Sequence, residues 1–243
     1  MYSRKPEAEE VPVVVPQEAR RRILLVGGTG LLGSEVIGIA SERPQLRLIT
    51  MARREFSIPH GIKLELLVSP SECWAQAVAD ICPDSVICAL GTTWRKSGGS
   101  EEAFRAVDHD LVLDIARAAK ESGVHGFVHI SAAGANHRST NFYLRTKGEV
   151  EQALQALKLP RLDILRPGLI RGSRKGDIRP LELLGKLASP LTDMAMTGDR
   201  VHYHSVSVEM LAEAALQFAS EKARGRFTHE YEAIRLASKR FNY

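Results

Sequence analysis

Four apolar residues, Ile23-Leu24-Leu25-Val26, run directly into Gly27-Gly28-Thr29-Gly30-Leu31-Leu32-Gly33. A short apolar run bounded by arginines and glycines reads as a strand buried on both faces. Leu31 to Ser41, stopped near Pro44, reads as the helix that follows. A strand, G-x-x-G-x-x-G and a helix form the context in which a glycine turn holds a dinucleotide. Gly27 permits the tight exit from the strand, Gly30 lets backbone approach a pyrophosphate, and Gly33 lets the helix pack close to the sheet. The amides at the helix start then face an anion. Gly27, Thr29, Gly30, Leu31, Leu32 and Gly33 are therefore candidate cofactor contacts. A tight turn with only a structural role is the competing reading of the same glycines.

Further strands are expected at Leu46 to Met51, Lys63 to Val68, Ser85 to Leu90, Gly126 to Ile130 and Leu162 to Leu165. Helices are expected at Ser71 to Asp80, capped by Ser71, at Ser100 to Ser122, and at Asn141 to Leu157. Phe104, Val107, Leu111, Ile115 and Ala118 would give the second of these one apolar face, with Gly123 as its stop. Strands alternating with helices predict an α/β fold, a Rossmann-type doubly wound parallel sheet. After Pro167 the alternation weakens, leaving helices at Pro180 to Ala188 and Val208 to Glu221 with little clear strand between them. The expected organisation is a flexible tail over 1–21 and a single domain over 22–243, with 168–243 as a small C-terminal annex.

The 243 residues are 44% hydrophobic and 26% charged, as in an ordinary globular chain. No apolar run is long enough to cross a membrane. The tail is charged and proline-broken, and Val11 to Val15 is too short for a signal-peptide core, so a cytoplasmic protein is expected. Cys73, Cys82 and Cys88 show no paired C-x-x-C and read as reduced, mostly buried thiols. The net charge of +4 comes from scattered groups such as Arg20 to Arg22, Arg95-Lys96, and Arg171 with Arg174, Lys175 and Arg179. No helix-turn-helix, zinc-finger or aromatic RNP pattern accompanies them, so a phosphate-bearing small ligand explains them better than nucleic acid does. His202-Tyr203-His204 is the one close histidine pair; it lacks the further ligands zinc needs, and no metal is expected.

Strand two ends in Met51-Ala52-Arg53-Arg54. An acidic residue there would bind the ribose hydroxyls of NAD; arginine can instead pair with a 2′-phosphate. Arg53 and Arg54 thus point to NADP, with NAD as the alternative, although solvated surface arginines would look the same. Tyr143 and Lys147, four residues apart, share one face of their helix. A free tyrosine, with a pKa of about 10, is a poor base at neutral pH. A nearby ammonium and an oxidised nicotinamide ring favour its phenolate, which can exchange a proton with an alcohol or carbonyl oxygen while hydride moves. Lys147 would also hold the nicotinamide ribose. Ser131 ends strand five at the sheet edge where ligands bind, and could hold the substrate oxygen. Y-x-x-x-K alone equally fits a surface tyrosine and a solvated lysine; the glycine turn and Ser131 favour the chemical reading. Trp94, Arg95 and Lys96, in the loop after strand four, fit either a cap on the cofactor pocket or a mobile lid.

The runs Leu90-Gly91-Thr92-Thr93, Phe104 to Asp108 (FRAVD), Ser131 to Asn136 (SAAGAN), Asn141 to Glu151 (NFYLRTKGEVE) and Leu165-Arg166-Pro167-Gly168 resemble an atypical branch of the short-chain dehydrogenase/reductase superfamily. More narrowly, they resemble the Tat-interacting-protein oxidoreductases. The resemblance spans Ile23 to Arg179. It implies Ser131, Tyr143 and Lys147 as the catalytic set, with Tyr143 and Lys147 also at the cofactor. It implies that Leu90, Gly91 and Thr92 border the cofactor, and that Pro167, Gly168 and Leu169 line the nicotinamide pocket. It further implies a homodimer through the helices at Glu101 to Ser122 and Asn141 to Leu157. Two positions depart from the superfamily pattern. Asp108 stands where an asparagine often supports a proton relay, and Val68-Ser69 where an aspartate commonly touches adenine.

Three functions fit these expectations. The first is an NADP-dependent oxidoreductase acting on a small carbonyl or alcohol. The second is a non-catalytic protein whose NADP occupancy controls a partner. The third, a nucleotide-sugar epimerase or dehydratase, ranks lower because the chain after Pro167 is short for so large a substrate.

Overall fold

The computed structural model describes residues 21–58, 62, 64–172 and 204–242. The expected helix at Pro180 to Ala188, the tail to Arg20, and Lys63, Arg174, Lys175, Arg179, His202 and Tyr203 lie outside the described residues.

Ile23, Leu24, Leu25 and Val26 are fully buried, as an unbroken apolar run requires. They form β1 (Arg21–Val26), which pairs in parallel with β2 (Leu46–Ala52) on one side and β4 (Ser85–Cys88) on the other. Beyond β2 lies β3 (Glu65–Val68); beyond β4 lie β5 (Gly126–Ile130), β6 (Arg161–Leu165) and β9 (Gly225–His229). The seven-stranded order is β3-β2-β1-β4-β5-β6-β9, and every pairing in it is parallel. The chain reverses its direction of growth between β1 and β4. That topological switch opens a crevice beyond their carboxyl ends. The short β7 (Ile170–Arg171) and β8 (Val206–Ser207) pair with each other as a second, two-stranded sheet.

Two apolar layers cover the sheet. Leu24, Val26, Val86 and Phe127 pack with α2 (Trp74–Ile81), α4 (Leu111–Glu121) and α5 (Phe142–Ala156). Ile23, Leu25, Ile87 and Val128 pack with α1 (Leu31–Ser41), α6 (Val208–Ser220) and α7 (Tyr231–Phe241). The part of the chain expected as an annex thus supplies much of one core layer and the seventh strand. Among the described residues no helix is long and apolar enough to cross a membrane.

Several local expectations are revised. Arg21, expected in the tail, belongs to β1, opposite Leu46. Ser71 caps nothing: Ser71–Cys73 is a 3-10 turn without a side-chain cap, and α2 starts at Trp74. Cys73 and Cys82 are exposed and only Cys88 is buried, against the expectation of mostly buried thiols. Cys82 sits at the left-handed end of α2. The single helix expected from Ser100 is divided into α3 (Glu101–Arg105), a π-helical turn (Ala106–Asp110) and α4. The wide turn advances the buried face by one residue, so Asp108 is buried where the apolar repeat had placed Val107.

Candidate active site

The glycine turn lies in the crevice between β1 and β4. Gly27 has φ +98°, and a Cβ there would stand 2.6 Å from the carbonyl oxygen of Ala89. At Gly33 a Cβ would fall 2.2 Å from the carbonyl oxygen of Gly27. The Gly30 amide donates to that same oxygen at 2.9 Å. Helix α1 has no side-chain cap and no acidic residue in its first turn, which leaves its leading amides suited to an anion. Beside it, a cleft of about 440 Å³ is lined by Thr29, Arg53, Arg54 and Phe56. A turn with no room for a side chain at Gly27 or Gly33, an uncapped helix start and two exposed arginines together fit a phosphate-bearing dinucleotide.

Helix α5 approaches the same edge of the sheet. Asn141 caps it, its side chain accepting from the Leu144 amide at 3.1 Å. Tyr143, in the first turn, is 41% exposed. One turn on, Lys147 is buried and its Nζ lies 2.8 Å from Oδ1 of Asp108. The other oxygen of Asp108 accepts from the Thr92 amide at 2.6 Å. Asp108 thereby ties α5 to the loop after β4, whose first residues, Ala89 and Leu90, back Gly27. Burial works against the charge of Lys147, but Asp108 outweighs it, with Tyr143 adding, and holds the lysine above its ordinary pKa. Cys88 and His129 are paired neighbours on β4 and β5. Burial pushes the Cys88 thiol up to about 12. Burial, with the Lys147 charge adding, holds His129 well below the usual imidazole value.

Ser131 follows β5, and its amide donates to the Leu165 carbonyl at 2.8 Å. Two residues on, the Ala133 amide donates to Pro167 at 2.8 Å, so the turn carrying Pro167, Gly168 and Leu169 stays beside Ser131. The Ser131 hydroxyl donates to Oε1 of buried Glu151 at 2.5 Å. Arg166 grips that carboxylate in a fork, at 2.9 Å and 2.5 Å. The loop after Ser131 crosses α5 at Gly148, where a Cβ would lie 2.2 Å from the His137 amide nitrogen. Beside Tyr143, Phe104 and Phe142 meet edge to face at 5.5 Å, and half-exposed Trp94 stands 5.9 Å from Phe142.

The glycine turn thus shares its cleft with Arg53 and Arg54, while on α5 Lys147 is tied through Asp108 to the loop after β4 and Glu151 holds Ser131. Sequence reasoning gave no role to Glu151, Arg166, His129 or Gly148. Glu151 did carry a readable signal: it lies four residues after Lys147, on the same helix face. His204 is half-buried and lies edge-on to Tyr231 at 5.1 Å.

The HIM1 family model matches residues 71–195, just over half of the chain. The chain belongs to the HIM1 family. Among its relatives, the protein "FMP52, mitochondrial" of Meyerozyma guilliermondii is 36% identical over 156 residues, covering 63% of this chain and 67% of that protein. Its counterpart in Aspergillus fumigatus is 37% identical over 186 residues, covering 70% and 79%. The HIM1 assignment replaces the narrower Tat-interacting-protein resemblance, while the expected Rossmann-type parallel sheet stands. Thermus thermophilus UDP-glucose 4-epimerase, solved in complex with NAD, superimposes with a TM-score of 0.63 at 19% identity, covering 90% of this chain and 82% of the epimerase. The word mitochondrial in the relatives' names overturns the cytoplasmic expectation. That expectation rested on the lack of an apolar leader, which says nothing about import into an organelle.

Proposed function

We propose that this HIM1-family chain is an NADP-dependent oxidoreductase interconverting a small alcohol and its carbonyl compound. The reading rests above all on Asp108, which binds both the Thr92 amide and Lys147 and so draws the tyrosine helix to the loop behind the glycine turn. A bound nicotinamide would supply the hydride acceptor or donor. Gly27, Gly30, Gly33 and the start of α1 would hold the pyrophosphate, and Arg53 and Arg54 the 2′-phosphate. Leu90, Gly91 and Thr92 would border the dinucleotide, with Pro167, Gly168 and Leu169 lining its nicotinamide end. Tyr143 exchanges a proton with the substrate oxygen, favoured by the charge of Lys147, and Ser131 holds that oxygen in place.

The test is NADPH oxidation against a panel of carbonyl compounds, with Tyr143→Phe beside the wild type. Equal turnover by the two proteins would remove Tyr143 from the chemistry. Tight NADPH binding without turnover of any panel member would turn the reading to a cofactor-sensing protein. The same proposal locates the chain in mitochondria, to be checked by fractionation of cells expressing it. It also pairs two copies through α4 and α5, which light scattering would read.

A further inference from the structure

The bond between Ser131 and Glu151 has a fixed polarity. A carboxylate only accepts hydrogen bonds, so the proton in that bond belongs to the serine and points at Glu151. Arg166 donates to both oxygens of the same carboxylate in a fork. Ser131 and Glu151 are 4% and 3% exposed, so water does not compete for either group. A hydroxyl has one hydrogen to give and two lone pairs to receive with. With its hydrogen turned to Glu151, Ser131 has only lone pairs left for a further partner.

This bears on which redox partner the site holds. A ketone or aldehyde oxygen also has only lone pairs, and would meet Ser131 with like polarity. An alcohol brings its own O–H and can donate to Ser131. We infer that Glu151 fixes Ser131 as a hydrogen-bond acceptor and thereby tunes the site to the alcohol rather than the carbonyl partner. The inference rests on the oxidoreductase reading above and adds to it a preferred ligand and a positioning residue. For oxidation, a bound nicotinamide cofactor would accept the electron pair of the alcohol's C–H bond as that bond breaks. The alcohol's one O–H hydrogen, held by Ser131 while the alcohol is bound, would turn to Tyr143 and leave as a proton as the C=O bond forms. Tyr143, 41% exposed, can then release the proton to water.

The experiment uses matched pairs, cyclohexanol with cyclohexanone and benzyl alcohol with benzaldehyde. Turnover is first measured in both directions. Binding is then measured in complexes that cannot react, the alcohol with protein–NADPH and the ketone or aldehyde with protein–NADP+, by isothermal titration calorimetry. Wild type is expected to bind the alcohol more tightly. In Glu151→Gln the new amide can donate to the Ser131 oxygen and free the serine hydrogen for the crevice. Affinity for the carbonyl compound should rise and that for the alcohol should fall, each by about tenfold, the effect of one hydrogen bond. A merely structural role for Glu151 would weaken both ligands together, and that parallel loss would overturn the inference. Should Glu151→Gln fail to fold, Ser131→Ala decides. A selective loss of alcohol affinity supports the acceptor role, and equal effects on both partners overturn it. Absence of turnover by wild type in either direction would instead sink the oxidoreductase reading, and this inference with it.

Discussion

Lys147 and Asp108 meet at 2.8 Å with both side chains excluded from water, although they come from different helices. Removing one partner from a buried ion pair leaves the other charge uncompensated, which costs about 3–5 kcal/mol. Asp108→Asn keeps the shape and an oxygen for the Thr92 amide but leaves the ammonium alone. Chemical denaturation at pH 7 should show a loss of that size. The pair holds Lys147 above its ordinary value, so in wild type its stabilisation is complete below about pH 10.4 and fades only above it. In the variant, burial alone would lower the lysine pKa, and stability would rise with pH as the amine neutralises. The gap between the proteins should therefore narrow from pH 8 to pH 10.5. A constant gap would mean that Lys147 is not the group left unpaired.

His129 makes the opposite prediction at low pH. Its ring is fully buried, and neither nitrogen has a hydrogen-bond partner among the described residues. Burial and the Lys147 charge keep it neutral in the fold, whereas the unfolded chain protonates it near pH 6.5. The unfolded state then binds more protons below that value, and stability falls as pH drops, by up to about 1.4 kcal/mol per pH unit. His129→Met should flatten this acid limb between pH 6.5 and 5 in urea titrations. An unchanged slope would assign the acid sensitivity to other groups.

Gly148 is where the loop from Ser131 crosses α5. A Cβ there would press on backbone, 2.2 Å from the His137 nitrogen and 2.3 Å from the Asn136 carbonyl carbon. Alanine favours a helix over glycine by about 1 kcal/mol, but overpacking of this kind costs about 1–3 kcal/mol. Contact with backbone decides for the second effect, since no flexible side chain can give way. Gly148→Ala should unfold at lower temperature and lose turnover as Ser131 shifts relative to Tyr143. A more stable, fully active variant would show that the loop moves aside freely.

The parts of this fold that sequence revealed are those where one residue type has one physical use. The apolar run into Gly27 and the stop at Gly123 each name their element, and the structure has them there. Strand β9 escaped because it lies at the sheet edge, with Arg226, Phe227 and Thr228 exposed and no apolar run to mark it. Asp108 was located on the right helix, but its burial depends on the π-helical turn, which the apolar spacing did not signal. Glu151 and Arg166 were quoted within motifs, yet their link to Ser131 joins a helix to two strand ends, and no local pattern encodes that contact.

Arg53 carries the sharpest test of the cofactor. It is exposed at the end of β2 and shares a cleft with Thr29 and Arg54. A guanidinium there can bind a 2′-phosphate in a forked, charge-assisted contact, and has nothing equivalent to hold on an unphosphorylated ribose. An exposed pair is weakened by water and salt, so its effect should be smaller than that of a buried one. Arg53→Ala should raise the NADPH dissociation constant about tenfold in low salt and leave that for NADH nearly unchanged. Raising the salt should shrink the wild-type preference toward that of the variant. If wild type binds NADH as tightly as NADPH, the arginines are ordinary surface residues, and the ribose must be held by groups other than Arg53 and Arg54.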